Sequence, residues 1–259
     1  MTSTEREPVK VETLQTEGAH MIPIRKGSMD GIIYLPAFGG EAQPGLYKPS
    51  FRKFANPAPL GLCGFALTTF VLSLINCQAR GVTVANIVVG LAYGYGGLVQ
   101  LLAGMWEMAV GNTFGATALS SYGGFWISWA IIETAGGFGI VDAYTDASML
   151  NNALGFYLLG WWIFTTILLL LTLRSTVAFC SLFFFLDITF LLLAIGHFRI
   201  AEGHDGTGII KAAGVLGCIT AFIAWWNAIA GMADKNNSFF TIPVVHFPWT
   251  AKPEAKKAS

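Results

Sequence analysis

Charge is scarce in this sequence. Only 12% of its 259 residues are Asp, Glu, Lys or Arg, where an ordinary soluble domain has roughly 25%. Fifteen basic and fifteen acidic side chains cancel, so the chain offers no electrostatic footprint for nucleic acid. Cysteine is scarce too: Cys63, Cys77, Cys180 and Cys218 each fall in an apolar run, without CxxC spacing or a neighbouring histidine pattern. That excludes a disulfide framework and a zinc site, and leaves small buried hydrophobes as the reading; no metal is expected. Neither HExxH nor GxSxG occurs and the histidines do not cluster, so no enzyme and no cofactor are expected. A rhodopsin-like receptor is disfavoured because the lone membrane lysine, Lys211, lies near a helix end in a six-span chain. A signal peptide is missing as well, since residues 1–31 are polar and broken by prolines; targeting falls to the first membrane helix.

Long apolar runs are what the chain has instead, with 54% hydrophobic residues, 20 Phe, 8 Trp and a mean hydropathy of +0.59. A bilayer-spanning helix needs about 20 apolar residues. Six segments qualify: 58–79, 84–108, 114–140, 151–173, 176–198 and 207–232. The expected fold is all-α and polytopic, a compact six-helix bundle with both termini on one side. Lys48, Arg52, Lys53, Arg174 and Lys235 fall on that side and Arg80 and Arg199 on the other, which makes the termini cytoplasmic by the positive-inside rule. Residues 1–55 read as a mostly extended tail, 56–235 as the transmembrane domain and 236–259 as a second tail.

The first span opens with "FANPAPLGLCGF", where Asn56 is a natural N-cap and Pro57 and Pro59 occupy a first turn that has no amide partners to lose. Such an end is either a well-specified cap or, through its free amides and dipole, a station for a carboxylate. In "VVGLAYGYGGLVQLLAGMWEM" the spacing of Gly90, Gly94, Gly97 and Gly104 places them on one face, for close packing or to make room for a pore. Glu107 ends that span against the helix dipole and needs a partner, which is either the following "GNT" turn or a transported proton.

Residues 111–126, "GNTFGATALSSYGGFW", are unusually polar for a membrane span. Asn112 or Thr113 caps this helix, and Thr113, Thr117, Ser120, Ser121 and Tyr122 supply hydroxyls that either replace water around a small solute or bond back to their own backbone. Glu133, Asp187 and Lys211 are the ionisable residues left inside spans. Lys211 can snorkel to the interface. Asp187, in "SLFFFLDITFLLL", must face the interior, be protonated, or meet Lys211 or an amide on another helix.

Together "NPAPLGL" and "WE…GNTFGATALSSYG.FW" resemble the acetate uptake transporter family, which includes bacterial succinate/acetate permeases and fungal plasma-membrane acetate and ammonia transport proteins. The resemblance covers residues 38–235, and "AFGG…PGLYKPSFRKFANPAPLGL" is similar to the fungal branch. It implies a six-helix protomer, a homo-hexamer with one conduit per subunit in the membrane lipid, and passage of acetate with a proton, with propionate, formate, lactate or succinate as related substrates. Matching motif by motif, it places a hydrophobic constriction at Phe65, Tyr122 and Leu186. Asn56, Asn112, Thr113, Thr117, Ser120 and Ser121 are then candidate substrate-binding residues, and Glu107 and Asp187 are either structural or proton-coupling. A pore for ammonia or urea is the alternative within transport.

Overall fold

The computed structural model describes residues 21–25, 32–36 and 54–250. Lys48, Arg52 and Lys53, on which the orientation argument draws, lie outside these. The chain divides into two units, Met1–Lys53 and Phe54–Ser259. In the first, β1 (Met21–Arg25) pairs antiparallel with β2 (Ile32–Pro36), Met21 opposite Pro36 and Arg25 opposite Ile32. Two stretches of the extended tail thus satisfy each other's backbone groups.

The second unit is helical: α1 (Ala58–Asn76), α2 (Asn86–Tyr93), α3 (Gln100–Ala109), α4 (Thr113–Glu133), α5 (Ala147–Thr172), α6 (Val177–Ala201) and α7 (Thr207–Met232). A π-helical turn, Gly94–Val99, joins α2 to α3, so they form one continuous span. That span and α1, α5, α6 and α7 are each long and apolar enough to cross a membrane. At 21 residues α4 is also long enough, about 30 Å, but its hydroxyls and glycines make it less apolar. Most of its apolar side chains are buried among the other helices.

The ends of the spans follow local chemistry. Asn56 accepts the Ala58 amide at 3.2 Å, Asn112 the Gly115 amide at 3.0 Å and Asp146 the Ser148 amide at 2.9 Å, each closing a first turn. The third span stops at Glu133 rather than running to 140, because Gly136 and Gly139 take φ of 64° and 67° and turn the chain out of helix. Asp146 starts α5 four residues earlier than hydropathy alone indicates. In the turn before α7, hydrogen bonds from Thr207 hold the Asp205 carboxyl below the ordinary aspartate range.

Helix α1 packs mainly on α7, α5 on α6, α6 on α7, and α3 on α4. The α3–α4 seam has no room for a side chain at Gly104, where a Cβ would collide with the backbone nitrogen and hydroxyl of Ser120. Backbone cannot swing aside as a flexible side chain can. Gly104→Leu is therefore expected to destabilise by more than the about 1–3 kcal/mol of ordinary overpacking, read as a lowered thermal midpoint in detergent. An unchanged midpoint would mean that the two helices do not pack this way.

Candidate functional site

Helices α1, α4 and α6 all begin at one end of the bundle, where α3 and α5 finish. Between these ends lies a cavity of about 420 Å³. Ala58, Leu62 and Phe65 face it from α1 at helical spacing, Phe179, Leu182, Phe183 and Leu186 from α6, and Asn112, Gly115, Ala118, Leu119 and Tyr122 from the start of α4. Thr172 and Ser175 close the side between α5 and α6. None of the lining residues carries a charge, and the positive dipole ends of α1, α4 and α6 lie at the opening beside the negative ends of α3 and α5.

Phe65, Tyr122 and Leu186 lie seven to nine residues inside their helices, about 10–14 Å below the first turn at 1.5 Å per residue. All three are buried and all line the cavity. The Phe65 and Tyr122 rings are 5.8 Å apart, and Tyr122 is further held by Phe190, stacked at 6.4 Å, and by the edge of Phe164 at 5.7 Å. Its hydroxyl lies 2.9 Å from Thr165 Oγ1. The single Thr165 hydrogen goes to the Trp161 carbonyl at 2.7 Å, so it is Tyr122 that donates to Thr165. The phenol hydrogen is thereby committed, and a lone pair is what Tyr122 has left to offer.

Of the polar residues expected to line the passage, Asn112 does so. Its Oδ1 caps α4 and its Nδ2 donates to Glu107 Oε2 at 2.6 Å. Glu107 is buried and its other oxygen has no partner among the described residues, so the "GNT" turn satisfies half of the carboxyl. Asn56 stays exposed at the entrance, tying the start of α1 to the Gly231 carbonyl at 3.4 Å. The structure does not bring Thr113, Thr117, Ser120 and Ser121 to this cavity. Residues 112, 115, 118, 119 and 122 share one face of α4 with Phe114 at its edge, and at 100° per residue Thr113, Thr117 and Ser120 fall on the opposite side and Ser121 at the flank beside Phe114. Thr113 and Thr117 are exposed, Ser120 is pressed against Gly104, and Ser121 borders a separate, shallower pocket with Tyr157, Gly160, Trp161 and Phe164.

Asp187 points toward α5, where Trp162 Nε1 donates to Oδ2 at 3.1 Å and Thr166 Oγ1 to Oδ1 at 2.6 Å. An indole N–H and a hydroxyl on another helix thus meet the acid, in place of the expected amide or Lys211, whose side chain is exposed. Asn in this place keeps an acceptor for the indole and an amide for the Thr166 oxygen. Asp187→Asn is accordingly expected to keep the wild-type pH profile of transport, whereas Asp187→Leu, which strands the Trp162 indole while the Thr166 hydroxyl keeps the Trp162 carbonyl at 3.0 Å, is expected to lose about 1–3 kcal/mol of stability. A flattened pH profile in Asp187→Asn would make this carboxyl the proton carrier.

Gln100 was not among the candidates read from the sequence. It lines the cavity, is wholly shielded from solvent, and neither its Nε2 nor its Oε1 has a partner among the described residues. The π turn puts it there, because one extra residue in the turn rotates everything after it by about 100°. Gly64 lets that turn come close: a Cβ on Gly64 would lie 2.7 Å from the Tyr95 carbonyl oxygen. A lone amide in "GLVQLLAG" is the signal that the sequence carried.

Residues 38–249 match the GPR1/FUN34/yaaH family. Acetate permease A of Emericella nidulans is 63% identical over 229 residues, which cover 86% of this chain and 77% of that protein. The succinate-acetate/proton symporter SatP of Escherichia coli is 36% identical over 194 residues, 74% of this chain and 96% of the symporter. The solved structure of the bacterial acetate channel SatP superposes with a TM-score of 0.63 at 35% identity, covering 74% of this chain and 99% of that one. Apolar helices long enough to span a bilayer, a cavity sunk among their ends and matches of this extent lead to one conclusion: the chain is a multi-pass membrane protein of the GPR1/FUN34/yaaH family, on its fungal side.

Proposed function

We propose that this protein transports acetate and related short monocarboxylic acids across the membrane, through its own cavity and past Phe65, Tyr122 and Leu186. A permease and a channel for acetate among its relatives support the substrate. The observation that carries the mechanism is the committed Tyr122 hydroxyl. An acetate ion reaching the constriction would need a donor and would find an acceptor, and stripping an unpaired carboxylate of water is very costly. Undissociated acetic acid brings its own O–H, which can donate to the free lone pair of Tyr122, while its methyl group rests among Phe65 and Leu186. In the vestibule, the spare hydrogen of the Asn112 amide and the Gln100 amide hold the anion before it takes up a proton.

Residues 56–235 form the transport domain in this reading, with the tails 1–55 and 236–259 in the cytoplasm, in a plasma-membrane homo-hexamer with a conduit in each subunit. The vestibule then opens to the cytoplasm, since α1 and α4 begin on the side of the termini.

Purified protein in liposomes with an imposed pH gradient tests the mechanism directly. Uptake of labelled acetate is expected to rise as the source side is acidified, and to continue without other components. Uptake that is indifferent to the proton gradient would sink the passage of undissociated acid. A flux of ammonia that grows with alkalinity, without acetate movement, would assign the conduit to a neutral base instead.

A further inference from the structure

After α7 the chain turns back across the bundle end. The Val177 amide donates to the Val245 carbonyl at 2.9 Å, Thr176 and His246 form an antiparallel bridge, and Trp249 Nε1 donates to the Leu173 carbonyl at 2.8 Å. Leu173 caps α5 and Val177 opens α6. These are the points at which two membrane spans leave the hydrocarbon on this side, so a segment tied to both lies at headgroup depth.

Its composition suits that depth. From Ser238 to Thr250 there is no Asp, Glu, Lys or Arg. Phe239, Phe240, Val244, Val245 and Trp249 are each more than half exposed, in a segment whose backbone is nonetheless anchored. The Trp249 indole is stacked on Phe247 at 4.7 Å, its N–H bonded to a helix-end carbonyl and its ring turned outward. Amphipathic rings held in this way are typical of the membrane–water interface. Immediately beyond come Lys252, Lys256 and Lys257, with Glu254 the single acid.

We infer that residues 238–250 are an interfacial anchor, which lays its Phe, Val and Trp side chains into the headgroup boundary of an anionic bilayer leaflet while the lysines after it bind the lipid charge. Apolar insertion and basic attraction are the two components of such binding, and neither alone holds a short segment firmly. A second copy of the chain fits less well. Pro243 and Pro248 lack the amide hydrogens needed to extend the Thr176–His246 pairing into an intermolecular sheet, and the lysine-rich ends of two copies would repel. The anchor has a functional consequence under the transport reading, because Thr172 and Ser175, in the turn to which it is tied, line the vestibule. The lipid test below does not depend on that reading.

The full chain is placed in nanodiscs of phosphatidylcholine alone or of an equal mixture with phosphatidylserine. A nitroxide is attached at Phe240→Cys, and separately at Phe239→Cys, in a background with Cys63, Cys77, Cys180 and Cys218 replaced by Ala; Asn236→Cys serves as the aqueous reference. Both labelled positions are expected to collide more with lipid-soluble oxygen, and less with a water-soluble nickel chelate, than the reference does. The difference should grow with phosphatidylserine and fall back when Lys252, Lys256 and Lys257 are changed to Ser. On the unaltered chain, trypsin cleavage after Lys256 should slow by about fivefold or more in the anionic discs, the effect of one lysine at such a surface. Nickel access equal to the reference together with equal cleavage in both bilayers would overturn the anchor. Labels that are shielded from both reagents and broadened by each other would put a second copy in its place.

Discussion

Gln100→Leu is expected to make the protein more resistant to heat and a poorer transporter. The two effects have one origin. Gln100 is wholly buried with both amide atoms unpartnered among the described residues, and a polar group stranded in this way costs about 1–3 kcal/mol. Leucine is larger by about one methylene, which the adjoining cavity can take up, and has no polar atom, so it removes that cost without opening a void. Its effect on transport is the reverse, because Gln100 Nε2 is the side-chain amide on the cavity wall with both hydrogens unengaged: Asn112 Nδ2 gives one of its two to Glu107, and the Tyr122, Thr172 and Ser175 hydroxyls donate to Thr165, the Leu169 carbonyl and the Thr172 carbonyl. Losing a hydrogen bond to a charged solute, worth about 1.5–3 kcal/mol, lowers acetate uptake by about tenfold or more. Thermal melting of the purified variant and its initial uptake rate in liposomes, measured on the same preparation, read both effects. A variant that melts higher and transports as well as wild type would show that acetate does not visit this cavity wall; one that melts lower would show that the amide is satisfied after all.

The reason Gln100 escaped the sequence reading applies to the rest of the site. Ionisable residues inside spans stand out in a sequence because their burial cost is obvious, and this makes Glu107 and Asp187 legible. An uncharged amide in "LVQLLAG" carries a smaller cost by the same logic and was passed over. Helical periodicity located α4 and its cap at Asn112, yet it could not say which face met the cavity. Every face of that helix has a small or polar residue, and only the neighbours decide: α3 takes the side holding Ser120 and Gly123, with a Gly123 Cβ placed 2.7 Å from the Leu101 nitrogen, so Gly115, Ala118 and Tyr122 are left to face the opening. The hydroxyls of "TFGATALSS" that looked like a solute path are therefore on the packing and outer sides. Glycines in "GYGG" announced close approach, but the inserted residue of the π turn is a property of the backbone that no spacing of side chains reveals. The spans themselves were legible because a bilayer leaves so few alternatives to helix, and their ends shifted only where capping side chains or left-handed glycines overrode hydropathy.

Phe65→Ala is expected to change which acids pass, and the direction follows from geometry. The Phe65 ring is buried, forms one wall of the constriction and meets the Tyr122 ring at 5.8 Å. Tyr122 cannot easily move into the space that alanine would leave, because Phe164 and Phe190 pack around its ring and Thr165 holds its hydroxyl. The gap therefore stays open, at a cost of about 3–5 kcal/mol for a buried Phe-to-Ala change. A pocket that excludes one extra methylene discriminates by about 10–200-fold, and it is this exclusion of longer chains that the truncation removes. In liposomes, butyrate and benzoate should compete with labelled acetate in Phe65→Ala far more strongly than in wild type, while Phe65→Leu, which refills most of the volume, should restore much of the preference for acetate. Comparing the two variants separates size selection from general damage, since a protein merely loosened by the mutation would lose acetate flux without gaining the longer acids. If the pattern of competition stays unchanged in both, the narrowest point of the conduit lies elsewhere, and the ring pair of Phe65 and Tyr122 is packing rather than gate.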